Sequence, residues 1–255
     1  DASPLGVVPM SVKVAFSIGA AVFFGSIVIT VITTSEYPPE DMAAFEAKKK
    51  SKSSFVSDIL SHITSMPKTM LKLGVIQFFS WFAFFTMWSL ANPALTEHVF
   101  NTPAPIESQF DMTNTLEAAA FDTANTSFQK SSNLVGSYMG IYGLSSMLFA
   151  LVLSFYTAKI NINRKLVHMV SLILGGLGFI SMYYISEPSQ LTYSFALIWL
   201  SWGSILSMPY AMLSSSVDED NMGVYMGLFN MFIVIPQIVA ALGGITLIAS
   251  FFGNE

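Results

Sequence analysis

The sequence predicts an all-α membrane protein that crosses the bilayer six times. Charged residues make up only 11% of its 255 residues, whereas a soluble domain carries roughly 25%. Hydrophobic side chains account for 53% of the chain, and its mean hydropathy is +0.60. The charges also leave six long gaps, each close to the ~20 residues that a helix needs to cross a bilayer.

The predicted spans are residues 12–34, 70–95, 133–158, 166–185, 192–214 and 224–252. A charged side chain at the bilayer centre costs about 2.5–3.5 kcal/mol on the insertion scale. The only Lys, Arg, Asp or Glu inside these spans are Lys13 and Lys72, both close enough to a span end for the ammonium group to reach the interface. Runs of this length are too long for barrel strands, and helices satisfy their own backbone in lipid. We therefore predict an α-helical bundle.

The basic residues predict the orientation of the spans. Nine of the 11 lie in or beside the loops that follow the first and third spans: Lys48, Lys49, Lys50, Lys52, Lys68, Lys72, Lys159, Arg164 and Lys165. Lys13 and Lys130 lie on the other side. The positive-inside rule makes the larger group cytoplasmic, so we expect both ends of this chain on the outer side of a plasma or inner membrane. The first residue is Asp1, and we expect a fragment or a processed chain.

Three regions follow from these spans. Residues 1–34 hold the first span, residues 35–69 form a cytoplasmic loop, and residues 70–255 hold five spans with an outer loop at 96–132. In the cytoplasmic loop the break at Tyr37-Pro38-Pro39 precedes an apolar stripe at helical spacing: Phe55, Val56, Ile59, Leu60, Ile63 and Met66. This stripe predicts a helix on the membrane surface or, as the alternative, a linker helix docked on the bundle.

Composition also excludes several classes of function. The chain has no cysteine, which excludes thiol catalysis and Cys-ligated metals, and its net charge of −5 with a single arginine offers no basic surface for nucleic acid. Its histidines, His62, His98 and His168, lie in loops or at span ends without the spacing of metal ligands. No phosphate-binding glycine loop is present. We expect no catalytic residue, no metal site and no cofactor, and we expect that the protein is not an enzyme.

One face of the second span combines polar and aromatic side chains. At about 100° per residue, five residues fall within an arc of about 80°: Gln77, Trp81, Phe84, Trp88 and Asn92. Amides hydrogen-bond hydroxyl groups, and an indole face packs against the apolar face of a sugar ring. The stripe therefore favours a sugar-lined pathway. Interfacial placement of the tryptophans and helix packing are the alternatives.

Other spans add further candidates for solute binding. In the last span, Asn230 and Gln237 share a face with small residues, and the alternative role of that face is close helix packing. The third and fifth spans contribute Tyr142, Trp202 and Tyr210.

Several strings resemble one family of transporters. They are Gln77-Phe78-Phe79-Ser80-Trp81-Phe82-Ala83-Phe84-Phe85, Met208-Pro209-Tyr210-Ala211 and the last-span string from Gly223 through Asn230 to Ile233-Val234-Ile235-Pro236-Gln237. They resemble sucrose–proton symporters, among the glycoside–pentoside–hexuronide:cation symporters of the major facilitator superfamily. That family has twelve spans, so the resemblance implies that these six correspond to spans six to eleven, most of a C-terminal half whose N-terminal half is missing.

The resemblance also implies a function. It implies a secondary active transporter of a small neutral sugar (sucrose, maltose or a related glycoside), coupled to a proton or another cation. Asn163-Arg164-Lys165 would stand for the Gly-Arg-Lys part of a gating motif, with Asn163 in a left-handed turn; the alternative is a simple positive-inside anchor. The spans contain no titratable group suited to coupling, so we expect that group in the missing half. The alternatives are a membrane sugar sensor, a uniporter of another neutral solute and, least favoured, a membrane-embedded enzyme.

Overall fold

A computed structural model describes residues 8, 10–35, 42–43, 55–157, 159–218 and 221–252. The chain divides into two compact units, Asp1–Asp58 and Ile59–Glu255. The described residues form helices and turns without strands, and six of the helices are long and apolar enough to cross a membrane. The all-α fold class is confirmed. The predicted break at Tyr37-Pro38-Pro39 and the basic residues from Lys48 to Lys52 lie outside the described residues.

The helices of the described residues lie in the following order along the chain. They are α1 (Met10–Thr33), α2 (Phe55–Thr64), α3 (Lys68–His98), α4 (Thr115–Thr157), α5 (Arg164–Tyr183), α6 (Leu191–Ser214), α7 (Met222–Val239) and α8 (Ile245–Phe252). Short 3₁₀ turns lie at Glu107–Gln109 and Pro188–Gln190, and a π turn at Ala240–Gly244 joins α7 to α8. The first unit contains α1, and α3 to α8 belong to the second unit.

The start of α4 differs from the prediction. We expected a polar outer loop over 96–132 with one short helix in it, but the helix of the third span already begins at Thr115, and the Asn114 side chain accepts a hydrogen bond from the Leu116 N–H at 3.0 Å. Hydropathy marks where a helix enters lipid, not where it begins. In the turn before α4, the Thr113 hydroxyl and backbone N–H donate to the Asp111 carboxylate, and these bonds lower the pKa of Asp111.

Packing in the second unit divides between two clusters of buried side chains. α5 and α4 pack against α6, and α3 packs against α7 and α4. The first cluster joins α3, α4 and α6 through residues such as Phe84, Val135 and Ile198. The second joins the opposite end of α3 to α6 and α7 through Met70, Leu73, Leu213, Val217, Tyr225, Leu228 and Phe229. On α3, Gln77 lies between these two clusters in sequence and is fully buried.

The C-terminal part of α2 contacts the second cluster. Ile59 and Met66 pack against it, and the His62 ring meets the Tyr225 ring edge-on at 5.5 Å. His62 Nε2 lies 3.4 Å from Asn221 Oδ1. These are the contacts expected of a linker helix docked on the bundle. The side chains of Phe55 and Val56 lie outside the described part.

The last predicted span is one helix with an interruption. Pro236 lacks the N–H that would continue the backbone ladder, and Gly243 has φ 122°, inside the π turn. A residue with a side chain rarely adopts that φ. The chain therefore changes direction between α7 and α8 at a position that requires glycine.

Candidate functional site

Four of the aromatic side chains predicted to bind solute come together in one cluster. Trp202 of α6 lies 5.2 Å from Trp81 and 5.0 Å from Trp88, both on α3, measured between ring centroids. Tyr142 of α4 lies 6.4 Å from Trp202. Phe84, which shares the predicted α3 stripe, lies 4.9 Å from Trp202. We call Trp81, Phe84, Trp88, Tyr142 and Trp202 the aromatic cluster.

Helix periodicity and packing together assemble this cluster. Trp81, Phe84 and Trp88 recur at spacings of three and four, so they share one face of α3. Trp202 reaches that face from α6, which packs against both α4 and α5 and comes close to Phe149 of α4 at Gly203. Most pairs are edge-to-face or tilted, the arrangement that ring quadrupoles favour.

Several buried polar side-chain atoms of the described residues have no hydrogen-bond partner. In the part of the chain that the structure describes, they belong to five residues: Gln77, Trp81, Asn92, Tyr142 and His168. The first four are predicted solute-binding residues. Gln77 has neither amide atom paired although its side chain is 0% exposed. The Tyr142 hydroxyl is buried, and its polar neighbour is the Trp88 indole.

An unpaired buried polar group costs about 1–3 kcal/mol, so each of these groups requires a partner such as a bound solute or water. Gln77 offers two donors and an acceptor, and Trp81 offers an indole N–H. Together with the aromatic rings, these groups can bind a neutral solute that has hydroxyl groups and an apolar face.

The remaining predicted residues already have partners. The Tyr210 hydroxyl of α6 donates to Asn230 Oδ1 of α7 at 2.8 Å. Gln237 Nε2 donates to the Ile233 carbonyl of its own helix at 2.9 Å. The structure therefore does not bring Tyr210, Asn230 and Gln237 into the aromatic cluster.

The predicted gating residues lie at the start of α5. Asn163 is the N-cap, and its side chain accepts a hydrogen bond from the Leu166 N–H at 3.1 Å. Its φ of −75° corrects the expected left-handed turn, because a capping residue takes an extended conformation. Arg164 Nη1 donates to the Ala211 carbonyl of α6 at 2.9 Å. Lys165 is exposed.

His168 corrects the expectation that the spans contain no titratable side chain. It is 3% exposed inside α5, so a titratable side chain does lie within a span. Its Nδ1 lies 2.8 Å from the Ser204 hydroxyl of α6, and its Nε2 has no partner. The spacing of His168, Ser171, Gly175 and Gly178 along one face of α5 was the available signal, since such a face packs closely on another helix.

A comparison with protein families places the chain. A family model described as Major Facilitator Superfamily matches residues 3–241. The chain belongs to the major facilitator superfamily. Comparisons with curated proteins and with solved structures found no match. Because the family is one of transporters, the six apolar helices belong to an integral, multi-pass membrane transporter.

In this major facilitator, α3 also lines an apolar groove beside the aromatic cluster. An open groove of about 950 Å³ lies between α3 and α5. Its lining is mainly apolar and includes Met87, Leu90 and Ala94 of α3 and Phe179 of α5, whose ring lies 5.5 Å from that of Phe84. Such a lining suits lipid chains and offers few partners to a hydrophilic solute. Within the described residues, no group of three His, Asp or Glu side chains could hold a metal ion.

Proposed function

We propose that this major facilitator is a secondary active transporter of a small neutral sugar, such as sucrose, maltose or a related glycoside, by proton-coupled symport. One observation carries the proposal. Unpaired polar atoms of Trp81 and Tyr142 are buried within the cluster of edge-on and tilted aromatic rings, and Gln77, one turn before Trp81 on the same face of α3, is buried and unpaired as well. A sugar needs both kinds of contact, because its hydroxyl groups require hydrogen bonds and its C–H face packs on indole rings.

The absence of carboxylates from the site also favours a neutral solute. α3 carries no Asp or Glu before Glu97, one residue from its end, and α6 carries none. Neither helix has a charged side chain level with the aromatic cluster. A charged solute would lose its hydration there without gaining an ion pair. Exchange of water for amide and hydroxyl partners is sufficient for a sugar.

The proton is proposed from the resemblance to sucrose symporters. A coupling group in a membrane is normally a titratable side chain facing a pathway. His168 lies instead between α5 and α6, with Ser204 as its partner. The proposal therefore keeps the coupling acid in an N-terminal half of the kind that the resemblance implies, with transport by alternating access around a site near the midplane.

Uptake of labelled solutes tests the proposal. The complete coding sequence that includes this chain is expressed in cells that lack other sugar uptake, and entry of labelled sucrose, maltose and glucose is measured with the proton gradient intact or collapsed. Saturable uptake of a disaccharide that falls when the gradient is collapsed is the expected result. Cells carrying an empty vector provide the background.

The other possible outcomes distinguish a symporter from a uniporter, from a sugar sensor and from a protein that does not recognise sugars. Saturable uptake that ignores the gradient would make the protein a uniporter and would overturn symport. Binding of a sugar to purified protein without uptake would favour a sensor. Neither binding nor uptake of any of the three sugars would overturn the sugar assignment.

A further inference from the structure

Two prolines lie inside membrane helices and have fully buried rings. Pro209 lies in α6 and Pro236 in α7. Proline has no backbone N–H, so the carbonyl group four residues before it lacks the donor that a regular helix supplies. These carbonyl groups belong to Ile205, which is itself 1% exposed, and to Phe232. In lipid, each carbonyl needs a donor from another part of the protein or from a bound molecule.

The Ile205 carbonyl lies level with Gln77 of α3. Trp202 of α6 contacts Trp81 of α3, with 5.2 Å between the ring centroids. Leu213 lies further along α6 and packs in the second cluster, which contains the beginning of α3, so the two helices run in opposite directions. Ile205 comes one turn after Trp202 along α6. Gln77 comes one turn before Trp81 along α3, so it lies at the depth of Ile205.

Pro236 of α7 lies at the same depth. A Cβ on Gly74 of α3 would lie 2.8 Å from the Phe232 ring. A Cβ on the last residue of the π turn would lie 3.2 Å from the Phe82 ring. Between these two contacts, Pro236 comes one turn after Phe232 on α7. Gln77 likewise comes one turn after Gly74 on α3, and the Phe232 carbonyl points towards this depth because helix carbonyl groups point to the C-terminal end.

The Gln77 amide supplies donors at this depth. Its side chain is 0% exposed, and neither amide atom has a hydrogen-bond partner. The amide nitrogen carries two N–H donors, and the amide oxygen is an acceptor. We call the Gln77 amide and the carbonyl groups of Ile205 and Phe232 the Gln77 subsite. It lies one turn from Trp81, at the end of the aromatic cluster that is nearer the second cluster.

The subsite matches hydroxyl groups better than it matches ions. The helices α6 and α7 carry no Asp, Glu, Lys or Arg, so a charged solute finds no ion pair on them. An anion would meet two carbonyl oxygens, and a metal cation would leave the Gln77 N–H groups without an acceptor. A hydroxyl group donates to a carbonyl and accepts from an N–H at the same time. It can therefore join Gln77 to either carbonyl, which the amide does not reach by itself.

We propose that the Gln77 subsite binds hydroxyl groups of the solute, one on the Ile205 carbonyl and one on the Phe232 carbonyl. The apolar face of the solute then lies on the aromatic cluster. This inference rests on the proposed function, because a sugar is a solute that offers neighbouring hydroxyl groups beside an apolar face. It gives Pro209 and Pro236 a part in recognition, since each keeps a main-chain acceptor free for the solute.

Replacement of each proline by alanine tests the subsite, because alanine supplies the missing N–H. Pro209→Ala closes the Ile205 carbonyl, and Pro236→Ala closes the Phe232 carbonyl. Binding is measured on the purified complete protein with whichever of sucrose, maltose and glucose the uptake assay identifies, and with the monodeoxy analogues of that sugar. Pro93→Ala is the matched control, since Pro93 also lies inside a helix, α3, but is exposed.

A specific pattern of affinities is expected. Both buried-proline variants should bind the sugar about tenfold more weakly than the unaltered protein, and Pro93→Ala should not change binding. In the unaltered protein, one monodeoxy analogue should lose about tenfold in affinity, because it lacks the hydroxyl group that binds the Ile205 carbonyl. Pro209→Ala should bind that analogue and the parent sugar equally well. Pro236→Ala should do so for an analogue that lacks a different hydroxyl group.

The pattern of losses separates recognition from packing. A buried proline also fills space, and a general loss of fit would weaken the parent sugar and every analogue by the same factor; that result would overturn the subsite. Melting temperatures in detergent show whether each variant is folded. If neither proline variant folds, Gln77→Leu tests the same contacts, because it should reduce the loss caused by removal of either hydroxyl group. An unreduced loss would again overturn the subsite.

The outcomes also separate the subsite from the proposed function. Uptake of a sugar by proline variants that bind it as tightly as the unaltered protein would overturn the subsite and leave the sugar assignment standing. Neither uptake nor binding of sucrose, maltose or glucose would overturn both.

Discussion

Two regions of this transporter differ in whether their buried polar side chains have hydrogen-bond partners. Between α5 and α6, most buried polar atoms have partners: the Ser181 and Ser194 hydroxyls lie 2.7 Å apart, and His168 Nδ1 lies 2.8 Å from the Ser204 hydroxyl, although His168 Nε2 is unpaired. Ser201 donates to the Ile198 carbonyl of its own helix at 2.8 Å. Around the aromatic cluster, Gln77, Trp81 and Tyr142 have none. The first region is held together in part by its own polar groups, whereas in the second region these polar groups have no partner within the chain.

The closeness of the helices explains part of this difference. Gly175 and Gly178 let α5 approach α6 so closely that serine side chains meet across the interface. At the aromatic cluster, large rings instead fill the space between α3, α4 and α6.

The largest expected effect is a loss of stability when a larger side chain is placed in the α5–α6 interface. A Cβ at Gly178 would lie 2.8 Å from the Ser194 carbonyl oxygen, which belongs to the backbone and cannot move aside. Gly178→Val should destabilise the protein by about 1–3 kcal/mol or prevent folding. Gly176→Val is the control, because a Cβ there meets nothing within 4 Å. Thermal unfolding in detergent checks this, and equal melting temperatures would show that α5 and α6 are not closely packed.

The next effect is expected on solute affinity. Trp202 contacts four other rings of the aromatic cluster, so Trp202→Phe should raise the KM for uptake about tenfold, equivalent to ~1.4 kcal/mol. Trp199→Phe is the control, because Trp199 packs against Phe149. Both substitutions shorten an aromatic side chain on α6, so a similar rise in KM for both would argue against a solute site at the cluster.

Two glutamines test the comparison most directly. Gln77 is buried without partners, whereas Gln237 donates to the Ile233 carbonyl. Gln77→Leu should keep or raise stability, because it removes unpaired polar atoms, and it should weaken sugar binding. Gln237→Leu should lower stability by about 1 kcal/mol. The melting temperature and the affinity for sugar are measured for both variants. Destabilisation by Gln77→Leu without a change in binding would make Gln77 structural.

The smallest effect is expected at His168. Ser204→Ala removes its hydrogen bond and should lower stability by about 1 kcal/mol or less, while the dependence of uptake on the proton gradient stays intact. Ser207→Ala, which removes a hydroxyl bonded within α6 to the Gly203 carbonyl, is the control. If Ser204→Ala instead abolished the gradient dependence, His168 would belong to the coupling machinery and not to the packing.

The spans and one face of the site could be predicted from the sequence. A charged side chain is so costly in lipid that a long stretch without charged residues marks each membrane span. Helical periodicity places Trp81 and Trp88 on one face of α3. Periodicity within one helix cannot show which other helix faces it. For that reason Trp202 and Tyr142 remained separate candidates, and the pairing of Tyr210 with Asn230 and the burial of His168 could not be predicted.

The sequence by itself determined that this chain is a multi-span α-helical membrane protein, because hydropathy and charge act residue by residue. Only the tertiary structure decided which polar groups are paired and which are not. Pairing depends on the distance between helices, and that distance is determined by side chains far apart in the sequence, such as Gly178 against Ser194 and Trp202 against Trp81.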